Sequence, residues 1–134
     1  MSLYQALRGM MVKAPFAEKQ DLHGKTAIVT GCAQGSIGFE TAKTLALWGA
    51  KVIVTTRSNV EKRVEALRAA SNGGQIDGHV LETTSAESVT TFAAWFIKNH
   101  GERLDILVNN VGVHLDLLSQ WKEPHLTADG FEIQ

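Results

Sequence analysis

Four short runs of β-branched and aliphatic residues alternate with amphipathic, helix-like segments between residues 25 and 110. The runs are KTAIVT at 25–30, KVIVTT at 51–56, a weaker run near 78–82, and LDILVNN at 104–110. Apolar strands separated by amphipathic helices are typical of a parallel sheet with helices on both faces. The alternation therefore predicts an α/β fold with a doubly wound parallel sheet of about four strands.

The segments between these runs carry apolar residues at helical spacing, and the first helix is predicted over 39–48. The predicted core faces are Ala42, Leu45 and Ala46 in the first helix, Val60, Val64 and Leu67 in the second, and Val89, Phe92, Ala93, Phe96 and Ile97 in the third. The sequence TSAE at 84–87 matches a capping box and predicts the start of the third helix. Near the C-terminus, LTADGFEIQ predicts a further helix start with Thr127 as its cap.

Composition and charge narrow the class of protein. The chain has 134 residues, of which 44% are hydrophobic and 20% charged, as in ordinary globular proteins. Its formal net charge of −1 provides no field that attracts a polyanion, which disfavours nucleic acid as a partner. Cys32 is the only cysteine, so an internal disulfide is excluded and we expect a cytoplasmic protein. Cys32 and the five histidines do not have the spacing of a metal site.

The first 20 residues differ from the rest of the chain. Apolar residues recur there at helical spacing before Pro15, namely Leu3, Leu7, Met10, Met11 and Ala14. We expect a helical arm at 1–20, packed on its own domain or on a dimer partner, and a single α/β domain at 21–134. Arg8 and Lys13 flank the apolar stripe, and contact with a membrane surface is the less favoured alternative. The arm lacks the continuous apolar stretch of a signal peptide.

A glycine-rich turn, TGCAQGSIG at 30–38, joins the first predicted strand to the first helix. In a doubly wound fold, this position brings backbone N–H groups and the positive end of a helix dipole together. Because glycine has no Cβ, the main chain at Gly31, Gly35 and Gly38 can approach an anion closely. The turn predicts a site for the pyrophosphate of a dinucleotide, and a purely structural tight turn is the alternative.

Two charged side chains follow later strands at the same predicted edge of the sheet. Arg57 lies about 20 residues beyond the glycines, where dinucleotide-binding folds contact the adenosine ribose. No Asp or Glu is present there to accept a hydrogen bond from a 2′-hydroxyl, and a guanidinium suits a 2′-phosphate, so NADP(H) is favoured over NAD. A solvated charge at the strand end is the alternative. Glu82 ends the third predicted strand, where its carboxylate either accepts from an adenine amino group or caps the next helix.

From about residue 21 onward, the sequence resembles the N-terminal, cofactor-binding half of the short-chain dehydrogenase/reductase family. The resemblance is carried by GKTAIVTG, IGFETAKTLALWGAKVIVTTRS, LETTSAESV and LDILVNNVG, in family order. It implies a Rossmann-type fold, here an incomplete sheet with the strand order 3-2-1-4 and helices on both faces. The cofactor-binding positions that it implies are Gly31, Gly35, Ser36, Ile37 and Gly38 in the turn, Arg57, the adenine-contacting pair Glu82 and Thr83, and Asn109, Asn110 and Gly112 in the segment NNVG, whose side chains brace the sheet.

Two positions depart from the family pattern. The family turn reads G-x-x-x-G-x-G, whereas this turn has one extra residue, so either Gly35 or Ser36 takes the middle position. In that position the Ser36 hydroxyl could donate to a phosphate. Val111 replaces a small Ala beside the ribose. The sequence SIG after a lengthened turn is similar to the enoyl-reductase branch of the family, whereas NNVG and Arg57 fit the main group better.

The resemblance implies an NADP(H)-dependent oxidoreductase that transfers hydride between an alcohol and a carbonyl, with a small-molecule substrate and a homo-oligomeric assembly. The family's proton donor is a tyrosine in a Tyr-x-x-x-Lys motif, but Tyr4 is the only tyrosine here and the motif is missing. We therefore expect a cofactor-binding half that is truncated before the catalytic segment, with an incomplete sheet. The alternative is a non-catalytic nucleotide-binding or pairing module that joins a full-length partner through the bare edge of the fourth strand.

Overall fold

The structure, a computed structural model, describes residues 17–112 and 125–132. The described residues form β1 (Thr26–Thr30), α1 (Ile37–Leu47), β2 (Lys51–Thr56), α2 (Val60–Ala70), β3 (Ile76–Val80), α3 (Ala86–His100) and β4 (Ile106–Val108). All strands are parallel and lie in the order β3-β2-β1-β4, which confirms the predicted fold class and topology. The apolar stripe of the predicted N-terminal arm lies outside the described residues. Among the helices described, none has the length and apolarity needed to cross a bilayer.

Successive side chains along each strand point to opposite faces of the sheet, and helices cover both faces. On one face, α1 and α2 pack on a large buried cluster that contains Ala27, Val29, Val52, Val54, Ala42, Ala46, Val60, Val64 and Leu67. On the other face, α3 packs on a smaller cluster of Ile28, Ile53, Leu81, Phe92 and Phe96. The predicted core faces of the first two helices are thus confirmed, with Leu45 partly buried against the same cluster.

The third helix is covered less than its sequence predicts. Phe92 and Phe96 are buried, but Val89 and Ile97 are 45% and 51% exposed, and Ala93, also predicted on the core face, is exposed as well. β4 is also shorter than the predicted 104–110, and its central Leu107 is 54% exposed. The residues of the fourth strand are thus apolar on both faces, as the sequence indicates, but the face toward α3 stays partly exposed because α3 is the one described helix on that side.

Two other predictions, the range of β3 and the capping residue of α3, differ from the structure. β3 covers Ile76–Val80 rather than 78–82, because its register with β2 pairs Val52 with Ile76 and Thr56 with Val80. Glu82 therefore follows the strand instead of ending it. The third helix is capped by Ser85 and not by Thr84, since the Ser85 hydroxyl accepts the N–H of Ser88 at 3.2 Å.

The predicted helix start at Thr127 is wrong. Residues 126–132 instead form a turn that is closed by an antiparallel bridge between Leu126 and Glu132. Within it, the N–H of Thr127 donates to the carbonyl of Phe131 at 2.7 Å, and the N–H of Phe131 donates to the Thr127 hydroxyl at 3.1 Å. Gly130 has a φ of +83°, a left-handed conformation that favours glycine and that a helix does not use.

Candidate functional site

The glycine-rich turn leaves β1 at the carboxyl edge of the sheet and enters α1. The N–H groups of Gly31 and Cys32 both donate to the carbonyl of Thr55, at 3.1 Å each, which ties the turn to β2. Gly31 and Gly35 have φ values of +74° and +78°, in the region that side chains rarely adopt. The path of the turn therefore depends on glycine at both positions.

Gly38 lies buried in the first turn of α1. A Cβ at this position would lie 2.5 Å from the Asn110 Nδ2 and 2.6 Å from the carbonyl oxygen of Gly31. A Cβ at Gly31 would lie 2.9 Å from Cγ2 of Val111, whereas a Cβ at Gly35 would meet only open space. Gly31 and Gly38 thus allow α1 and the segment after β4 to pack directly on the main chain of the turn.

The extra residue in the turn has a defined place. Gly35 adopts the left-handed conformation, and Ser36, with φ −87° and ψ 164°, is the N-cap of α1. The Ser36 hydroxyl accepts the N–H of Phe39 at 3.2 Å and lies 3.5 Å from the carbonyl of Gly31, to which it can donate. This cap also explains why α1 begins at Ile37 and not at Phe39. Donation from Ser36 to a phosphate stays a prediction.

Several N–H groups of the turn remain available. In the described part of the chain, no acceptor is found for the N–H groups of Ala33, Gln34, Gly35, Ile37 and Gly38. The first N–H groups of any helix lack an intrahelical partner, and Ser36 satisfies only that of Phe39. Unpaired N–H groups at the positive end of a helix dipole form a main-chain site that fits an anion.

Hydrogen bonds from the segment after β4 brace the turn. The Asn110 side chain donates to the carbonyls of Thr30 and Gly31, at 2.9 and 3.1 Å. The Thr30 hydroxyl accepts the N–H groups of Asn110 and Val111, at 3.0 and 3.2 Å, and can donate to the carbonyl of Val108 at 3.3 Å. The prediction from sequence missed Thr30, whose only signal is its place as the last residue of β1.

Cys32 lies in the same turn but is inert. Its side chain is fully buried, and Sγ donates to the carbonyl of Val29 at 3.3 Å. Burial raises the pKa of this thiol to about 12. Because only a thiolate is a good nucleophile, Cys32 contributes packing and no covalent chemistry.

Arg57 and Glu82 follow β2 and β3 at the same edge. Arg57 is exposed, and its guanidinium makes no hydrogen bond or ion pair with any residue that the structure describes. Oε1 of Glu82 accepts the N–H and the hydroxyl of Thr84, at 3.2 and 2.9 Å. These hydrogen bonds hold the pKa of Glu82 below its ordinary value, and the positive charge of Arg57 adds a smaller contribution. Glu82 therefore shapes the turn before α3, whereas Ser85 caps the helix.

Thr83 and Asn109 line a cleft of about 760 Å³, which Thr30 at the start of the glycine turn also lines. The cleft lies between α3, the ends of β1 and β4, and the turn at 126–132, and its apolar walls include Ile28, Leu81, Val89, Phe92, Leu107 and Phe131. The Asp129 carboxylate accepts the N–H of Ala86 at 2.7 Å and so fixes the turn at 126–132 to the first turn of α3. Gly112 is exposed, with open space where a Cβ would stand.

Comparison with known proteins decides the family. A sequence model described as short chain dehydrogenase matches residues 25–130. The chain belongs to this family of oxidoreductases. Members of the short chain dehydrogenase family bind a nicotinamide dinucleotide and small-molecule substrates. The resemblance noted in the sequence, to the N-terminal portion of such proteins, is therefore confirmed.

Two relatives illustrate how much of a short chain dehydrogenase this chain contains. Retinol dehydrogenase 13 of Homo sapiens is 37% identical over 119 residues, which are 87% of this chain and 33% of that protein. A probable oxidoreductase of Streptomyces antibioticus is 43% identical over 96 residues, which are 69% of this chain and 30% of that protein. The chain thus spans about a third of the length of these curated relatives.

Solved structures of short chain dehydrogenases have the same fold. A metagenomic short-chain oxidoreductase in complex with NADP is 36% identical with a TM-score of 0.61, and the match covers 70% of this chain and 42% of that chain. A short chain dehydrogenase from Mycobacterium smegmatis is 31% identical with a TM-score of 0.64, covering 75% of this chain and 43% of that chain. Both likenesses support the Rossmann-type arrangement of strands and helices described above.

Proposed function

We propose that these residues hold the adenosine diphosphate half of NADP(H) in an oxidoreductase that transfers hydride between an alcohol and a carbonyl. The observation that carries the proposal is the turn between β1 and α1. Its unpaired N–H groups stand at a helix N-terminus, and neither Gly31 nor Gly38 has room for a Cβ. The pyrophosphate accepts hydrogen bonds from Gly35, Ile37 and Gly38 and from the Ser36 hydroxyl, whose proton can rotate away from Gly31.

The preference for NADP(H) over NAD rests on the end of β2. The Thr56 hydroxyl donates to the carbonyl of Ser58 at 3.1 Å, so it is already engaged, whereas the Arg57 guanidinium is exposed. A guanidinium binds a phosphate through charge-assisted hydrogen bonds. A free 2′-hydroxyl instead prefers an acidic acceptor, which a guanidinium does not provide. A related solved structure is a complex with NADP, which supports this choice.

The adenine and ribose occupy the strand ends on either side of the turn. Glu82 uses Oε1 for Thr84 and accepts the adenine amino group through its other oxygen, with Thr83 beside it. Asn109 and Gly112 border the ribose, where Gly112 leaves room for the sugar and Asn110 keeps the turn in place.

Hydride transfer itself requires groups that these 134 residues do not supply. The sequence has no Tyr-x-x-x-Lys, and it spans about a third of its curated relatives. We place the proton donor and the substrate site in further sequence of the complete enzyme, with residues 1–20 as a helical arm and 21–134 as the truncated NAD(P)-binding domain. A cytoplasmic homo-oligomer is the assembly proposed for it.

The test is a titration of the purified chain with NADPH and with NADH, followed by nucleotide fluorescence. We expect tighter binding of NADPH, and a loss of about tenfold in that preference in Arg57→Ala, because hydrogen bonds to charged groups contribute about 1.5 kcal/mol or more. Lys62→Ala on the solvated face of α2 is the matched control and should keep the preference. Equal, negligible binding of both nucleotides would overturn the cofactor assignment.

A second candidate function, a pairing module, is favoured by a specific observation. β4 is an edge strand of the described sheet, and Leu107 on it is 54% exposed beside the exposed Val89 of α3. An unpaired apolar edge is a template for association with another chain. Sedimentation should show association that grows with concentration and that Leu107→Lys abolishes. A compact monomer at all concentrations contradicts this candidate without affecting nucleotide binding.

A further inference from the structure

His100, the last residue of α3, is buried without a good hydrogen bond. Its side chain is only 5% exposed. Neither ring nitrogen has an aligned hydrogen-bond partner in the part of the chain described. The ring instead packs edge-on against Trp95, with centroids 5.0 Å apart, and against Phe96 at 5.6 Å. Burial among aromatic rings favours the uncharged imidazole.

Charged groups from two strands face this imidazole. On β3, Oδ2 of Asp77 lies 3.1 Å from the His100 Nε2, although the approach lacks hydrogen-bond alignment. At the start of β2, Lys51 is near enough to repel a second positive charge. His79 of β3 also belongs to the cluster, since its ring lies 4.5 Å from that of Trp95.

These effects oppose one another, and burial decides the balance. Burial of the ring and, next, the charge of Lys51 lower the pKa of His100, whereas Asp77 raises it. The negative end of the α3 dipole also favours a cation, by up to about 2 kcal/mol for a partly buried histidine. Asp77 is 46% exposed, so water screens its attraction. The net effect is a lowered pKa, so the folded protein favours the neutral imidazole more than the unfolded chain does.

We propose that His100 makes the C-terminal end of α3 sensitive to pH: the neutral ring packs within the buried aromatic cluster at Trp95 and Phe96, and protonation of this buried ring loosens that end of the helix. The effect of protonation stays local because few residues of α3 are buried against the sheet, namely Phe92 and Phe96. Local openings of this kind occur at helix ends that bury little apolar surface.

The sign of the pH dependence follows from the two states of the chain. An exposed histidine in the unfolded chain titrates near about 6.5, above the lowered pKa of the folded protein. The contribution of His100 to stability is therefore complete above about pH 6.5 and is lost as the pH falls through the folded pKa. Each unit of lowering makes the folding equilibrium constant tenfold smaller once both states are protonated.

The direct experiment is an NMR titration of the His100 ring in the unmodified chain, together with amide exchange along α3. We expect a pKa below that of an exposed histidine, and faster exchange at residues 96–100 at about pH 5 than at about pH 7.5, after correction for intrinsic rates. Lys51→Met should move the titration midpoint up and Asp77→Asn should move it down. A midpoint at or above that of an exposed histidine, or unchanged exchange at the end of α3, would overturn the proposal.

Stability measurements provide the second test. Urea unfolding of the unmodified chain should give a lower midpoint at about pH 5 than at about pH 7.5, and His100→Phe should reduce that loss. His23→Gln, which removes an exposed histidine outside α3, is the control and should leave most of the loss in place. An equal loss in His100→Phe and in the unmodified chain would contradict the assignment to His100.

Discussion

The face of the sheet under α1 and α2 and the face under α3 are built on the same four strands but differ in how much they bury. The first contains a continuous cluster in which Val29, Val52, Val54 and Leu67 are all inaccessible to solvent. The second buries five residues and leaves Leu107 half-exposed. The difference shows that strand chemistry alone does not determine burial, because Leu107 of β4 is exposed on one face while its neighbours Ile106 and Val108 are partly buried on the other.

The order of the strands explains this difference. The chain steps from β1 to β2 to β3 in one direction, so right-handed crossovers place both α1 and α2 on the same face. It then returns past β1 to β4, and α3 is the one helix among the described residues that lies on the other face. A helix is about 10 Å wide and strands are about 4.8 Å apart, so one helix covers about two strands. The helix that follows the glycine turn, α1, therefore lies on the well-packed face. Leu107 of the edge strand β4 lies on the poorly packed face.

The largest loss of stability is expected at Gly38, where the packing around the glycine turn leaves no space for a methyl group. Gly38→Ala should cost about 3–4 kcal/mol of unfolding free energy, since its Cβ would lie within 2.6 Å of the Gly31 carbonyl oxygen. Gly35→Ala is the matched control, because its Cβ meets open space and only the left-handed conformation is strained, by about 1 kcal/mol. Urea denaturation measures both, and equal losses would contradict the close packing described for Gly38.

Substitution of one leucine on each face compares how much the packing of the two faces contributes to stability. Leu67→Ala, on the well-packed face, should cost about 3 kcal/mol because it leaves a cavity in a fully buried cluster. Leu107→Ala, on the face toward α3, should cost less than about 1 kcal/mol because this side chain is already half in water. Unfolding by urea distinguishes the two variants. A large loss in Leu107→Ala would mean that another surface covers β4 in solution.

The smallest change in stability is expected at Asp105, which links β1 to the start of β4 at the amino edge of the sheet. The Asp105 carboxylate accepts the N–H of Thr26 at 2.9 Å and pairs with Arg103, and these contacts, the first above all, lower its pKa. A lowered pKa means that the stabilisation is present above the unfolded value of about 3.9 and is lost as the pH falls through the folded value.

Asp105→Asn should therefore lower the urea midpoint modestly at about pH 7, and the difference from the unmodified chain should shrink toward about pH 3. Glu102→Gln is the neighbouring control and should leave the midpoint unchanged at both pH values. A difference that is independent of pH would show that Asp105 acts through packing and not through its charge.

Periodic and local features of the fold were predictable from the sequence. The alternation of β-branched runs with amphipathic segments predicted a parallel sheet covered by helices, the family resemblance implied its strand order, and the faces of α1 and α2 carry the expected core residues. Glycine spacing located the turn between β1 and α1. These features depend on residues close in sequence, so propensity and periodicity contain the information.

Features that depend on distant partners were not predictable. Helical spacing shows which residues of α3 share a face but not that Val89 and Ile97 on that face stay half-exposed. At 126–132, Asp129 binds the N–H of Ala86 across 43 residues, and Gly130 turns the chain where a helix was expected. The limits of β3 were set by its register with β2, and Thr30 gained its role from the segment after β4.

The central claim, that main-chain N–H groups of the glycine turn bind a dinucleotide pyrophosphate, is tested most directly by ¹⁵N-edited NMR during titration with NADPH. We predict saturable shifts of the amide resonances of Gly35, Ile37 and Gly38, with little change at the amides of α2 remote from the turn. Saturable binding that leaves those three amides unmoved, or no binding at any concentration, would contradict the claim.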